Sequence, residues 1–132
     1  MTVFRMSGDV GQAEMSALSG SLESALESGV RCFVLQMDAV EHIDYRSLDP
    51  LNRCSSRLRS CGAEMRIAGA SRYIRNILKF VGVEQQFRVQ GTLAEAVLSF
   101  AMTRSPAAIS EQYCEVAGAK AGRYSVARCE GR

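Results

Sequence analysis

The sequence predicts an α/β layered fold: a mostly parallel sheet of about four to five strands with about four helices. Three observations lead there. Short runs of strand character alternate with amphipathic segments, strand then helix, about four times along the chain. One of those runs, CFVLQM from Cys32 to Met37, is apolar almost throughout, as a strand covered on both faces should be. Two of the helix-like segments end on a glycine, Gly29 and Gly62, where helices favour a left-handed residue.

Taken in order, TVFRM alternates as a strand does, and the SGDVG that follows reads as the turn that ends it. Gln12 to Ser28 predicts a helix, because Met15, Leu18, Leu22, Ala25 and Leu26 recur at spacings of three and four and so share one stripe. After CFVLQM, the residues Leu48, Leu51, Ser55, Leu58 and Cys61 repeat at the same spacing. AEMRIAGA then reads as a strand. SRYIRNILKFVG reads as a helix with Tyr73, Ile74, Ile77, Leu78 and Val81 on its apolar side. FRV is a brief strand, and TLAEAVLSF is a helix capped by Thr92. From Arg104 the periodicity fades. Residues 1–103 are therefore one domain and 104–132 a loosely attached C-terminal tail, to which GRYSVARCE adds one strand at most.

Composition narrows the function. The chain has 132 residues, 47% hydrophobic and 23% charged, as expected of one soluble globular domain. No stretch approaches the roughly 20 apolar residues that span a bilayer, and MTVFRMSGDVG lacks the build of an export signal, so a cytoplasmic protein is expected. The five cysteines contain no CxxC pair and read as reduced thiols, and His42 is the only histidine. With no glycine-rich phosphate loop, no nucleophile beside a histidine base and no metal-ligand cluster, neither an enzyme nor a bound metal or cofactor is expected. Charge is uneven. Residues 1–50 hold eight acids against three cations, and residues 51–100 hold eight cations against three acids. Such a dipolar surface steers a charged protein partner. Nucleic acid is not indicated, since the cations are not interleaved with exposed aromatics.

The stretch HIDYRSLDPL, His42 to Leu51, places an acid, an aromatic, a cation and a hydroxyl between a strand and a helix. Pro50 is tolerated in a first helical turn, which starts the helix near Ser47 with Asp49 favoured by the helix dipole. Either Ser47 is the N-cap, or Asp44 caps one turn earlier with an irregular turn at Pro50. In both cases Asp44, Tyr45 and Arg46 stand at the carboxyl end of a strand, where open α/β folds place binding surfaces.

The order Ile43, Asp44, Tyr45, Arg46, Ser47, Leu48, then Gly62, MRIAG, RNILKFVGV and TLAEAV, resembles the STAS domain family of anti-sigma-factor antagonists over residues 2 to 100. The resemblance implies a STAS-like (SpoIIAA-like) layered fold. The family usually has one more strand ahead of TVFRM, which is expected to be absent or shortened here, and the tail strand is a candidate replacement. It also implies partner switching: binding of a kinase-like anti-sigma factor, phosphorylation on a Ser or Thr just after the Asp, and release. The family's junction usually reads Ile-Asp-Ser-Ser-Gly-Leu, whereas Tyr45 and Arg46 fill the usual acceptor positions here. Ser47 is then a displaced phosphoacceptor or simply a cap.

Tyr45 and Arg46 are either solvated loop residues or interface anchors, types enriched among binding hot spots. Arg53 and Arg57 on one helix, and Arg72, Arg75 and Lys79 on the next, are either solvated faces or a dock for an acidic partner. The expected partner-binding set is Asp44, Tyr45, Arg46, Ser47, Asp49, Arg53, Arg57, Arg72 and Arg75. The function expected is that of a non-enzymatic regulatory protein of the anti-sigma antagonist type, acting in transcriptional signalling, with homodimer formation left open. The alternative is a STAS accessory subunit of an ABC-type lipid transporter.

Overall fold

The structure, a computed structural model, describes residues 1–82, 87–104, 111–120 and 123–126. The elements run β1 (Thr2–Val10), α1 (Gln12–Glu27), β2 (Cys32–Ile43), a 3-10 turn (Tyr45–Ser47), α2 (Leu48–Ser60), β3 (Glu64–Ala68), α3 (Arg72–Val81), β4 (Arg88–Gln90), α4 (Leu93–Ala101), β5 (Gln112–Lys120) and β6 (Arg123–Val126). The strands form one sheet in the order β4-β3-β2-β1-β5-β6. β1 to β5 are parallel, and β6 lies antiparallel on β5. Among the described residues the chain forms the expected mostly parallel α/β sheet with four helices, with six strands where four to five were expected.

Because successive strand residues point to opposite faces, the pleat divides the apolar residues between two layers. Phe4, Met6, Phe33, Leu35 and Ile67 face α1, α2 and α3, where they meet Met15, Leu18, Leu22, Leu51, Leu58, Ile74 and Leu78. Val3, Cys32, Val34 and Ala68 face the other way, onto Ala96 and Phe100 of α4. Each large side chain so buried stabilises the fold by roughly 1.5–3 kcal/mol. Arg66 also lies on the α4 side, only 2% exposed. Its Nε donates to Ser99 Oγ at 3.0 Å, its Nη2 lies 3.2 Å from Glu64 Oε2, and its guanidinium sits 4.0 Å from the Phe100 ring centroid. Burial lowers the pKa of this guanidinium, and its stacking and ion pair offset the loss of water.

Several expectations change. SGDVG is not a turn: β1 runs through it to Val10, with Gly8 at φ 71 beside a register shift between Gly8 and Asp9. A glycine inside a strand marks such a bulge. β2 likewise extends past Met37 to Ile43, because Val40 and Ile43 return to the core after the exposed Asp38 and Ala39. The segment from Arg104 is not merely attached. Its β5 runs along β1 in register, Thr2 opposite Gln112 through Ser7 opposite Ala117, and Cys114 and Val116 are buried. β6 falls within GRYSVARCE, while 105–110, 121–122 and 127–132 lie outside the described residues. Cys61 ends the α2 stripe exposed rather than packed. Cys32, Cys54 and Cys61 are free thiols, and burial pushes the first two further toward the protonated form. Cys114 is disulfide-bonded, which corrects the reading of every cysteine as a reduced thiol. No CxxC spacing had marked it.

Candidate functional site

β1 and β2 end side by side, and the backbone N–H of Asp44 donates to Val10 O at 2.9 Å, pinning the junction to the end of β1. Asp44 then turns the chain. Its carboxylate Oδ1 accepts from Arg46 N at 3.0 Å and so caps the 3-10 turn. The Gln12 amide, at the start of α1, donates to Arg46 O at 3.3 Å and ties down the far side of the turn. Of the two caps left open by the sequence, Asp44 makes the side-chain bond.

Ser47 occupies the N-cap position of α2, with Leu48, Asp49 and Pro50 as its first three residues, but its hydroxyl makes no cap bond. It donates back to Asp44 O, and the residue is fully buried. In this conformation Ser47 therefore presents nothing to a partner surface or a kinase. Asp44 and Arg46 are joined by two further bonds, Arg46 Nε to Oδ1 and Nη2 to Oδ2, each 3.2 Å. The Arg46 guanidinium holds the Asp44 carboxyl below its ordinary range, and the carboxylate in turn raises the guanidinium.

Above this turn α3 forms a wall. Its N-cap Ser71 accepts from Ile74 N at 3.2 Å, and Gly82, at φ 84, closes it in the left-handed region. Between wall and turn lies an open pocket of about 750 Å³, lined by Asp9, Val10, His42, Asp44, Tyr45, Arg46, Tyr73, Asn76, Ile77 and Phe80 among others. Three of its aromatics stay in solvent: Tyr45 is 55% exposed, Tyr73 48% and Phe80 83%. Tyr45 and Phe80 meet edge to face, with centroids 6.4 Å apart and planes at 88°. Tyr73 stacks on His42 at 5.8 Å, and its hydroxyl shares a 2.6 Å hydrogen bond with His42 Nδ1.

The expected site residues do not all converge. Asp44, Tyr45 and Arg46 line the pocket. Arg72 and Arg75 lie on the next face of α3, in a shallow groove with Lys79 that adjoins the pocket through Asn76. Asp49, Arg53 and Arg57 lie elsewhere, along α2 beside α1. Arg53 pairs with Asp49 at 3.5 Å and Arg57 with Glu23 at 2.7 Å. His42, Tyr73 and Phe80 were missed. Tyr73 belongs to the apolar stripe that the spacing predicts, yet it stands at the edge of that stripe and faces the pocket. Phe80 carried a legible signal: it follows Tyr73 by seven residues and Ile77 by three, which sets it on the same side of α3. α3 does place exposed aromatics beside cations, contrary to the sequence expectation. Among the described residues, no group of three His, Cys, Asp or Glu is placed to hold a metal ion.

The STAS domain family matches residues 1–96. The chain belongs to that family. STAS domains are generally regulatory or binding domains without catalysis. Solved STAS structures agree with this one in fold. The STAS domain of a SulP transporter from Vibrio cholerae superposes with a TM-score of 0.62 at 20% identity, covering 77% of this chain and 80% of that one. The anti-sigma factor antagonist SpoIIAA, unphosphorylated, gives 0.61 at 13% identity, covering 78% and 91%. The Bacillus SpoIIAA in its phosphorylated form gives 0.60 at 15%, covering 75% and 90%. No curated protein is significantly similar in sequence. Among the described residues of this STAS domain, no helix is long and apolar enough to cross a membrane.

Proposed function

We propose that this STAS domain is a non-enzymatic, cytoplasmic regulator of the anti-sigma antagonist type, which binds a protein partner in a partner-switching pathway. The supporting observation is the junction pocket, where three large aromatics remain about half exposed or more around the Asp44–Arg46 pair. Leaving such side chains in water is costly for a domain that has no use for them, and aromatics with arginine are the residues that dominate protein interfaces. Asp44, Tyr45 and Arg46 form the centre of the binding surface, with Arg72 and Arg75 beside them. Asp49, Arg53 and Arg57 form a second, flanking face on α2. A kinase-like anti-sigma factor is the expected partner. Phosphorylation of Ser47 requires the 3-10 turn to open, since the hydroxyl is buried and bonded to Asp44 O.

The test is affinity purification of the tagged chain from its native cells, with mass spectrometry of the retained proteins and of the segment from Ser47 to Arg53. An anti-sigma factor with a kinase fold supports the proposal. A transporter ATPase would favour the alternative of an accessory transporter subunit. Saturable turnover of a small substrate by the pure protein would overturn the non-enzymatic reading.

A further inference from the structure

We propose that the junction pocket and the basic face of α3 together form a dock for an acidic peptide segment that carries bulky apolar side chains. This deepens the protein-binding reading above and rests on it. Arg72, Arg75 and Lys79 recur at i, i+3 and i+7, so one side of the helix presents them as a continuous ridge. All three are exposed, and none has an ion-pair partner among the described residues. Arg46, Arg53 and Arg57, in contrast, are each matched by a carboxylate of the chain itself. One helical step from the ridge, Asn76 lines both the basic groove and the pocket. Beyond it stand Tyr73 and Phe80, so α3 carries charge on one side of Asn76 and an aromatic wall on the other.

This pairing selects the occupant. A pocket of about 750 Å³ holds more than one apolar side chain, which an amphipathic helix supplies at i and i+3 or i+4. Carboxylates on the adjoining face of that helix then lie over Arg72, Arg75 and Lys79. An anionic membrane fits less well. The aromatics surround a concavity rather than project as a wedge, and the rim carries the carboxylates of Asp9 and Asp44. Single-stranded nucleic acid also fits less well. Base stacking needs open ring faces, whereas Tyr73 is stacked on His42 and Tyr45 abuts the Phe80 ring.

The experiment is selection of a displayed random peptide library on the immobilised full chain, followed by fluorescence anisotropy of the recovered peptides. The expected peptides place Asp or Glu beside Leu, Phe or Trp, and bind more weakly as salt rises. Phe80→Ser and Arg75→Glu should each weaken them roughly tenfold, with thermal melts like the parent because both side chains are exposed. Peptides with no acidic enrichment, affinities unchanged in both variants, or a library that returns no binder would overturn the proposal. Preferential binding of phosphatidylglycerol vesicles or of an oligothymidylate strand through Phe80 and Arg75 would also overturn it. A native partner that co-purifies undiminished with both variants keeps the protein-binding reading and discards this dock. Peptides that bind as expected while no native partner is retained do the reverse.

Discussion

Arg46 holds Asp44 with a bidentate pair of hydrogen bonds, Nε to Oδ1 and Nη2 to Oδ2, both 3.2 Å. The acid at the end of β2 is thereby neutralised by a side chain two residues away, at a position where a STAS antagonist usually has a phosphoacceptor. The pair lies within the aromatic rim formed by Tyr45, Tyr73 and Phe80.

Replacing the cation should release the acid. In Arg46→Ala the Asp44 carboxyl is expected to titrate closer to its ordinary range, because both the guanidinium bonds and the charge are gone. The sign follows from a folded pKa below the unfolded one. The contribution of Asp44 to stability is present above the ordinary carboxylate pKa and is lost as pH falls through the depressed folded value. Carbon-detected NMR titration of the Asp44 side chain, in parent and variant, measures this. Any stability difference between the two proteins should therefore be present near neutral pH, small because the pair is exposed, and should vanish as pH falls through the depressed value, while partner binding at neutral pH differs clearly.

Ser47 should behave as a structural residue. Its hydroxyl is buried and donates to Asp44 O, so Ser47→Ala is expected to cost about 1 kcal/mol. Ser47→Asp places an unpaired charge in the same space and is expected to cost about 3 kcal/mol or more. Urea unfolding of both variants checks the ranking. If Ser47→Asp keeps the parent stability and loses only the partner, Ser47 is an accessible switch after all.

Two neighbouring positions on α3 should separate stability from binding. Leu78 is fully buried, and Leu78→Ala is expected to cost roughly 2–5 kcal/mol. Phe80 is 83% exposed, so Phe80→Ala is expected to leave stability within about 0.5 kcal/mol and to weaken partner binding. Thermal unfolding set beside a pull-down of the native partner gives both quantities for each variant.

The bend after β3 depends on a glycine. Gly69 has φ 72, and a Cβ added there would lie 1.3 Å from Asp38 Oδ1. Gly69→Ala is expected to destabilise by about 1 kcal/mol or more from backbone strain, with the carboxylate clash in addition. Adding Asp38→Ala should relieve the clash and leave the strain. Comparing urea midpoints of the single and double variants distinguishes the two costs.

The fold was legible because its signals are periodic and local. Leu18, Leu22 and Leu26 mark one face of α1, Thr92 caps α4 through Glu95 N, and the run from Cys32 to Met37 sits where a sheet is covered on both sides. Where one residue admits two local roles, the sequence misled. Gly8 reads as a turn and serves as a bulge. Ser47 reads as one of two possible caps; its hydroxyl bonds backward to Asp44 O, Asp44 caps the turn through Arg46 N, and Pro50 at the third position of α2 has no N–H for Ser47 to take. β5 was missed because its alternation, Cys114 and Val116 inward, is too short to stand out until β1 lies beside it. Of the site, the sequence marks Asp44, Tyr45 and Arg46 as a junction at a strand end, while the Asp44–Arg46 ion pair emerges only in the structure. Tyr73 and Phe80 became part of it only through the packing of α3 against β2 and the 3-10 turn, a relation that no short stretch of sequence encodes.

The central claim is that the face around Tyr45 and Phe80 binds a protein. It is tested most directly by placing a benzophenone side chain at position 80, and separately at Leu98 on the α4 side, and irradiating native cells. A single protein crosslinked from position 80 and not from position 98 is the predicted result. A partner that crosslinks only from position 98, or that co-purifies yet never crosslinks from position 80, would contradict the claim and move the interface to the other face of the sheet.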